Sequence, residues 1–240
     1  MTYRVFQIPK KKGYRTIFAP DAELKTYQRK LVKSYEKYYF NKIKNTPIEN
    51  ITHGFLSGRN CTTAAEQHIG YEYTTMMDIK NFFDTVNKSM LPDFISKDER
   101  LFTKQGYCAQ GFPTSPILCN IAMLPVITRL HTALQNITTD FVFTIYADDI
   151  TISYNDPLLK HNIISTVVSI LFLYGFMISY KKTRTRKQYN GYRRILGINV
   201  AADSIRPTRK SIRKLRAATH QNNEDSIRGL SEWMKHKRPN

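Results

Sequence analysis

The residues best suited to chemistry are Tyr146-Ala147-Asp148-Asp149, two adjacent carboxylates between two apolar, β-prone runs, Phe141 to Tyr146 and Ile150 to Tyr154. That pattern reads as a hairpin with the acidic pair at its tip. Held side by side, two carboxylates repel each other and lose solvation, a cost that a bound cation relieves. An acidic turn without function is the plain alternative for such a motif standing alone. It does not stand alone, because Asp78 ends another expected strand, Tyr73 to Met77, and opens Asp78-Ile-Lys-Asn-Phe-Phe-Asp84. In a sheet that sets this strand beside the hairpin, Asp78, Asp148 and Asp149 would face one point. Three hard oxygen donors suit Mg²⁺, which takes a couple of carboxylates together with phosphate oxygens and water. Two such ions about 3.5–4 Å apart activate a 3′-hydroxyl and neutralise a leaving pyrophosphate, which is the chemistry of nucleotidyl transfer.

The elements that must position these residues follow from periodicity. Residues 3–8 and 14–18 alternate as two short strands around Pro9-Lys10-Lys11-Lys12-Gly13, a turn that gathers three cations. Leu24, Tyr27, Leu31, Tyr35 and Tyr38 recur at helical spacing between Ala22 and Phe40. A helix is expected to open at Ser115-Pro116 and run past Asn120 to about Leu134, with Pro125 as a candidate kink. A helix over 158–174 and a strand over 176–180 follow the hairpin. The order strand, helix, strand, strand, helix, strand is the split βαβ, ferredoxin-like arrangement, an antiparallel sheet with helices on one face. Beyond Ile195-Leu-Gly-Ile-Asn-Val200 the sequence turns basic, and two helices are expected over 208–219 and 224–237.

Composition narrows the partner. The chain has 240 residues, 37 Lys and Arg against 19 Asp and Glu, a formal charge of +18, and 41% apolar and 12% aromatic residues. A folded protein of this basicity is expected to meet a polyanion, nucleic acid before membrane. Cys61, Cys108 and Cys119 show no Cys-x-x-Cys spacing, which argues against a disulfide framework or a zinc site and fits a reduced, cytoplasmic compartment. Neither a signal peptide nor a membrane-spanning run is expected, the longest apolar stretch, 167–178, being interrupted and short.

Taken together these residues resemble the reverse transcriptases, most closely the bacterial retron and group II intron branch. The resemblance runs in order through Lys10 to Arg15 with Ala19-Pro20, Leu24-Lys25 and Gln28; His53-Gly-Phe55; Asp78 to Asp84; Gln110-Gly-Phe-Pro-Thr-Ser-Pro116 with Asn120; Tyr146 to Asp149; Gly175-Phe176 with Lys182-Thr183; and Leu196-Gly197. It implies an α+β right-hand polymerase with fingers (1–72 and 84–113), a ferredoxin-like palm (73–83 and 114–200) and a short, basic, thumb-like helical segment (201–240). Two departures stand out from the retron pattern: Ala64-Ala-Glu-Gln-His68 lacks its asparagine, and Ile195-Leu-Gly197 replaces its Val-Thr-Gly.

The same resemblance implies roles. Asp78, Asp148 and Asp149, with the Ile79 carbonyl, would hold two Mg²⁺ ions, with Mn²⁺ as an alternative. Phe83 would be the steric gate against a 2′-hydroxyl, a core aromatic being the other reading. Gln110-Gly111 would pack against the incoming dNTP, where glycine lets backbone come close. Lys10 and Arg15 would clamp the triphosphate, and Lys182 would touch primer or phosphate. His53 reads as a hydrogen-bonded structural histidine. Implied partners are an RNA template, a nucleic-acid primer and a structured non-coding RNA, with a partner protein or a second copy completing the thumb; a role in bacterial or phage defence is implied as well. The rival readings are an RNA-binding structural subunit with an inactive polymerase site and a template-independent DNA polymerase.

Overall fold

A computed structural model describes residues 2–9, 13–188 and 191–234. Lys10 and residues 235–237 of the last expected helix lie outside the described residues. Strands β1 (Tyr3–Pro9) and β2 (Tyr14–Pro20) form an antiparallel hairpin, and helix α1 (Ala22–Ile43) follows directly. Asp21 makes the junction firm: its carboxylate accepts from the Leu24 amide at 2.7 Å as an N-cap and from the Thr2 amide at 2.6 Å. Next come α2 (Cys61–Glu66), opened by an Asn60 capping box, β3 (Tyr73–Asp78), α3 (Phe82–Thr85) and α4 (Asp93–Ser96).

The second half holds α5 (Ser115–Gln135), β4 (Phe141–Tyr146), β5 (Asp149–Tyr154), α6 (Lys160–Leu173), β6 (Arg184–Lys187), β7 (Arg193–Ile195), β8 (Ile198–Val200), β9 (Ile205–Pro207), α7 (Arg209–His220) and α8 (Glu224–Met234). Strands β3 to β6 make one antiparallel sheet in the order β4-β5-β3-β6, with α5 and α6 as crossovers. That is the expected ferredoxin-like topology. Its last strand, however, is not residues 176–180. Gly175, at φ +78°, ends α6, and the chain then makes only one bridge, Ile178 to Ile79, while Phe176 and Ile178 bury their side chains. Pairing with β3 resumes at Arg184–Lys187, where Thr185 faces inward and its hydroxyl meets that of Thr75 at 2.9 Å.

Strand β5 explains the layering. Ile150, Ile152 and Tyr154 point into the main core with residues of α1, α5 and α6, while Thr151 and Ser153, on the opposite face, are buried as well. The second face is covered by α2 and a small sheet β7-β8-β9, whose Ile195, Ile198, Val200 and Ile205 pack on Ala65. Helix α5 is long and apolar enough to cross a membrane by length and composition, and 61% of that stretch is buried in the protein interior, where it forms the spine of the core.

Candidate active site

The acidic hairpin is built from behind. Tyr146 pairs with Asp149, leaving Ala147 and Asp148 as a two-residue loop in which Ala147 takes φ +55°, a left-handed conformation that ordinarily favours glycine or asparagine. Residues 51–54 run along the outer edge of β4 and brace this turn. The Ile145 amide donates to the Ile51 carbonyl and the His53 amide to the Ile145 carbonyl, each at 2.8 Å. Gly54 then passes so close that a Cβ there would lie 2.5 Å from the Ala147 nitrogen. Its own carbonyl accepts from Asn120 Nδ2 on α5 at 2.9 Å. His53 is fixed at both ring nitrogens, by the Thr63 hydroxyl at 2.8 Å and the Asn50 carbonyl at 3.0 Å, and burial pushes its pKa down to about 4. It is a structural, neutral histidine.

Strand pairing then brings the carboxylates together. Asp78 and Asp149 are cross-strand partners, and the Ile79 amide donates to the Asp148 carbonyl at 2.8 Å. Desolvation is the largest influence on Asp148 and raises its pKa; the Asp78 charge adds to the rise, and Lys182 and Arg15 oppose it. Asp149 stands at the rim, partly in solvent, and is pushed up to about 6 by desolvation first and by Asp148 and Asp78 next. Asp78, Asp148 and Asp149 are near enough for each to act on the others' charge. Lys182 Nζ donates to both oxygens of Asp78 at 2.7 and 2.9 Å, and among the described residues no three His, Cys, Asp or Glu side chains form a ready cage for a metal ion. The reason is repulsion: crowded carboxylates draw in the nearest cation, here the lysine that follows the Gly175-Phe176 segment. Hard carboxylates with raised proton affinity still fit a divalent cation of the Mg²⁺ type, which uses one or two of them together with substrate oxygens.

The remaining expected residues surround this centre. Phe83 is half-buried and edge-on to Phe55 and Phe82, at ring centroid distances of 6.0 and 5.8 Å, while Phe82 is the buried core aromatic that packs on Phe176. Arg15 is exposed on β2, near enough for its charge to act on Asp148. The Gln110 carbonyl accepts from the Phe18 amide at 2.8 Å, and a Cβ on Gly111, which has φ +113°, would lie 2.4 Å from the Phe18 carbonyl oxygen. The close approach that this glycine permits is therefore to β2 itself. Ile79 is buried.

Sequence reading missed the brace role of Gly54 and Asn120. It also missed an open pocket of about 340 Å³ in which Asp78 and Asp149 share the walls with Lys182, Arg184, Arg186, Arg194 and Gly197. The Arg-Thr-Arg alternation of β6 was a signal for it, masked by the strand having been expected at 176–180. Four non-glycine residues with left-handed backbone, Phe55, Asn81, Ala147 and Leu196, lie on the segments that frame this centre. Such strain is characteristic of sites where geometry is fixed by the surroundings.

An antiparallel ferredoxin-like sheet with aspartates at the end of β3 and at the tip of the β4–β5 hairpin defines a right-hand polymerase palm. Residues 8–200 match the family described as reverse transcriptase (RNA-dependent DNA polymerase), and the chain belongs to that family. It is 27% identical over 248 residues to the retron Mx65 reverse transcriptase of Myxococcus xanthus, covering 91% of this chain and 56% of that one. To the retron Ec86 reverse transcriptase of Escherichia coli it is 25% identical over 233 residues, covering 91% and 69%. Against the first relatives, 56% and 52% covered, the chain spans about half their length. Among solved structures, telomerase from Candida albicans with a fragment of telomeric RNA shares the fold at a TM-score of 0.67 and 14% identity, over 86% of this chain and 46% of that one. A foamy viral protease-reverse transcriptase with an RNA/DNA hybrid does so at 0.54 and 18%, over 96% and 27%.

Proposed function

We propose that this chain synthesises DNA on an RNA template by nucleotidyl transfer, a primer 3′-hydroxyl attacking the α-phosphate of a dNTP with release of pyrophosphate. The observation that carries the reading is the pairing of Asp78 with Asp149 across adjacent strands, with Asp148 in the adjoining loop. Family membership implies a divalent metal and dNTP substrates. We assign the metal to Asp78, Asp148 and Asp149 with the Ile79 carbonyl, Asp149 at the rim being the weaker ligand. When bound, the ions would lower the pKa of the attacking hydroxyl and offset charge on the leaving pyrophosphate.

The protein's own groups prepare this. Arg15 on β2, together with Lys10, would supply cations to the triphosphate. Lys182, paired with Asp78, would contact primer or a substrate phosphate. Phe83, wedged between Phe55 and Phe82, is a bulky ring suited to excluding a 2′-hydroxyl. The fingers would comprise 1–72 and 84–113, the palm 73–83 and 114–200, and the thumb-like segment 201–240. In that last segment Arg206, Arg209, Lys210, Arg213, Lys214 and Arg216 are all exposed, as a phosphate-binding face requires. Similarity to retron reverse transcriptases favours a dedicated structured RNA as template and a setting in phage defence.

Purified protein, with its co-purifying RNA, dNTPs and Mg²⁺, is expected to incorporate label into DNA complementary to one RNA. The Asp148→Ala/Asp149→Ala variant is expected to lose that incorporation. Random or homopolymeric product would indicate untemplated addition, and RNA binding without incorporation under any primer or metal would favour a structural subunit.

A further inference from the structure

Arg193, 1% exposed, heads the fully buried side chains by volume among the described residues. Its Nη1 donates to the Thr74 hydroxyl at 2.7 Å and the Ser153 hydroxyl at 3.3 Å, and its Nη2 donates to the His68 carbonyl at 2.5 Å. Its Nε has no partner among the described residues, and none of the ion pairs found among them involves Arg193. His68 is itself fixed, Nδ1 to Ser153 Oγ and Nε2 to Thr144 Oγ1, both at 2.8 Å, and burial pushes its pKa down to about 3, so it is neutral. Burial brings Arg193 down only to about 10, so a full guanidinium charge sits in the interior among neutral oxygens.

Stability does not account for such a residue. Moving a cation out of water without a carboxylate partner is costly, and an apolar side chain of similar volume in its place is often neutral or stabilising. What a guanidinium offers is direction: planar donors at fixed angles, where the apolar contacts of β7–β9 provide adhesion with no register. The strands it grips are those that carry the acidic centre. Thr74 lies on β3 four residues before Asp78, Ser153 on β5 four residues after Asp149, and Thr144, reached through His68, on β4 two residues before Tyr146. On its own strand the next residue, Arg194, faces outward and lines the pocket with Asp78 and Asp149, as does Gly197 of the β7–β8 turn. In that turn Leu196 is held at φ +47°, a conformation that needs a firm base.

We propose that the pocket, whose Lys182, Arg184, Arg186 and Arg194 suit a nucleic-acid backbone, seats the primer end, and that Arg193 is a positioning residue whose buried guanidinium fixes the Arg194–Gly197 wall against the strands bearing Asp78 and Asp149, aligning that end with the carboxylates. The proposal rests on the nucleotidyl-transfer reading. It gives one charged, buried side chain control over the fit between primer end and carboxylates without contact to either.

The test uses the full chain and three variants: Arg193→Met, Arg193→Lys, and Thr74→Val/Ser153→Ala, which removes two acceptors while leaving the arginine. Each is measured for thermal midpoint, kcat, KM for primer–template, KM for dNTP, and the fluorescence of 2-aminopurine at the primer 3′ end. Arg193→Met is expected to keep or raise the midpoint and to lose about 10–100-fold in kcat/KM for primer–template. Its KM for dNTP should stay within about twofold, with an altered 2-aminopurine signal. Arg193→Lys should recover part of the loss, and the double variant should show the same split, smaller. A fall in midpoint with all kinetic constants worsening together, or unchanged kcat/KM and fluorescence, overturns the proposal. If Arg193→Met does not fold, the double variant decides by the same criteria. Absence of incorporation by the wild type would instead defeat the nucleotidyl-transfer reading, and the 2-aminopurine signal would still decide the role of Arg193.

Discussion

The β4–β5 hairpin is buried on both faces, clasped along one edge by residues 51–54 and tied through Gly54 to Asn120 of the core helix. The β1–β2 hairpin, by contrast, leaves Val5, Phe6, Ile8 and Tyr14 between 45% and 68% exposed. It meets the body at its base, through the Asp21–Thr2 bonds, the Lys104 amide on the Tyr3 hydroxyl at 3.0 Å, the Phe18–Gln110 hydrogen bond, the Gly111 approach and the packing of Tyr3 and Phe18 with Phe112. Both are two-stranded and antiparallel, yet one carries carboxylates and the other Arg15. Carboxylates that must share cations need placement to a fraction of an ångström, so their turn is braced even at the cost of backbone strain at Ala147. In the proposed function Arg15 would close on a triphosphate, which needs reach, and a hairpin held at its base with exposed residues along its length would supply it.

The sharpest test of this division is Asp148→Asn, which removes a charge from the rigid hairpin without changing its shape. Incorporation is expected to fall by about 10³-fold or more, with little change in KM for dNTP. Gly54→Ala should come next, since its Cβ would press on the backbone nitrogen of Ala147, where nothing can give way. A loss of about 1–3 kcal/mol in stability and about 100-fold in kcat is expected from urea titration and steady-state assay. Gly111→Ala meets backbone at a similarly short distance and adds the strain of a side chain at φ +113°, but what it presses on is the outlying β1–β2 hairpin, so beside a loss of stability its kinetic effect should fall mainly on the KM for dNTP, raised about 10-fold. Were the two alanine variants to behave alike, the contrast between the hairpins would fail.

The smallest effect concerns pH. Asp149 has its pKa raised from 3.8 to about 6 in the folded protein, so the folded state holds that proton more tightly than the unfolded chain does. Its ionisation therefore costs nothing well below pH 4, and the cost grows through pH 6 and is complete above it. Asp149→Asn should raise the thermal midpoint by a few degrees at pH 8 in the absence of divalent ions, and the gain should vanish near pH 4. His53 and His68 act oppositely: with pKa values lowered from 6.5 to about 4 and 3, they withdraw stability as pH drops below 6.5, equally in both proteins.

Much of this was legible in the sequence, for reasons that differ by element. The Tyr146 to Asp149 turn announced itself because a two-residue loop between alternating strands is a local signal, and Ser115-Pro116 marked the start of α5 in the same way. The final sheet strand was misread at 176–180, since Phe176 and Ile178 are apolar and β-prone, whereas the true strand, Arg184–Lys187, carries cations on an edge. Long-range geometry was hidden. Nothing local reveals that Gly54 lies against Ala147, that Gly111 meets Phe18, or that Arg193 buries its charge among Thr74, Ser153 and His68. The Asp78–Lys182 ion pair was likewise unreadable, joining residues 104 positions apart.

Single-turnover incorporation on an RNA template, measured over a range of dNTP concentrations for wild type, Asp148→Asn and Arg15→Ala, tests the division of labour most directly. The expected result is a rate constant lost in Asp148→Asn with dNTP affinity kept, and dNTP affinity weakened about 10-fold in Arg15→Ala with most of the rate constant kept. If both variants lose rate and affinity in the same proportion, the two hairpins do not divide chemistry from substrate capture, and the account is wrong.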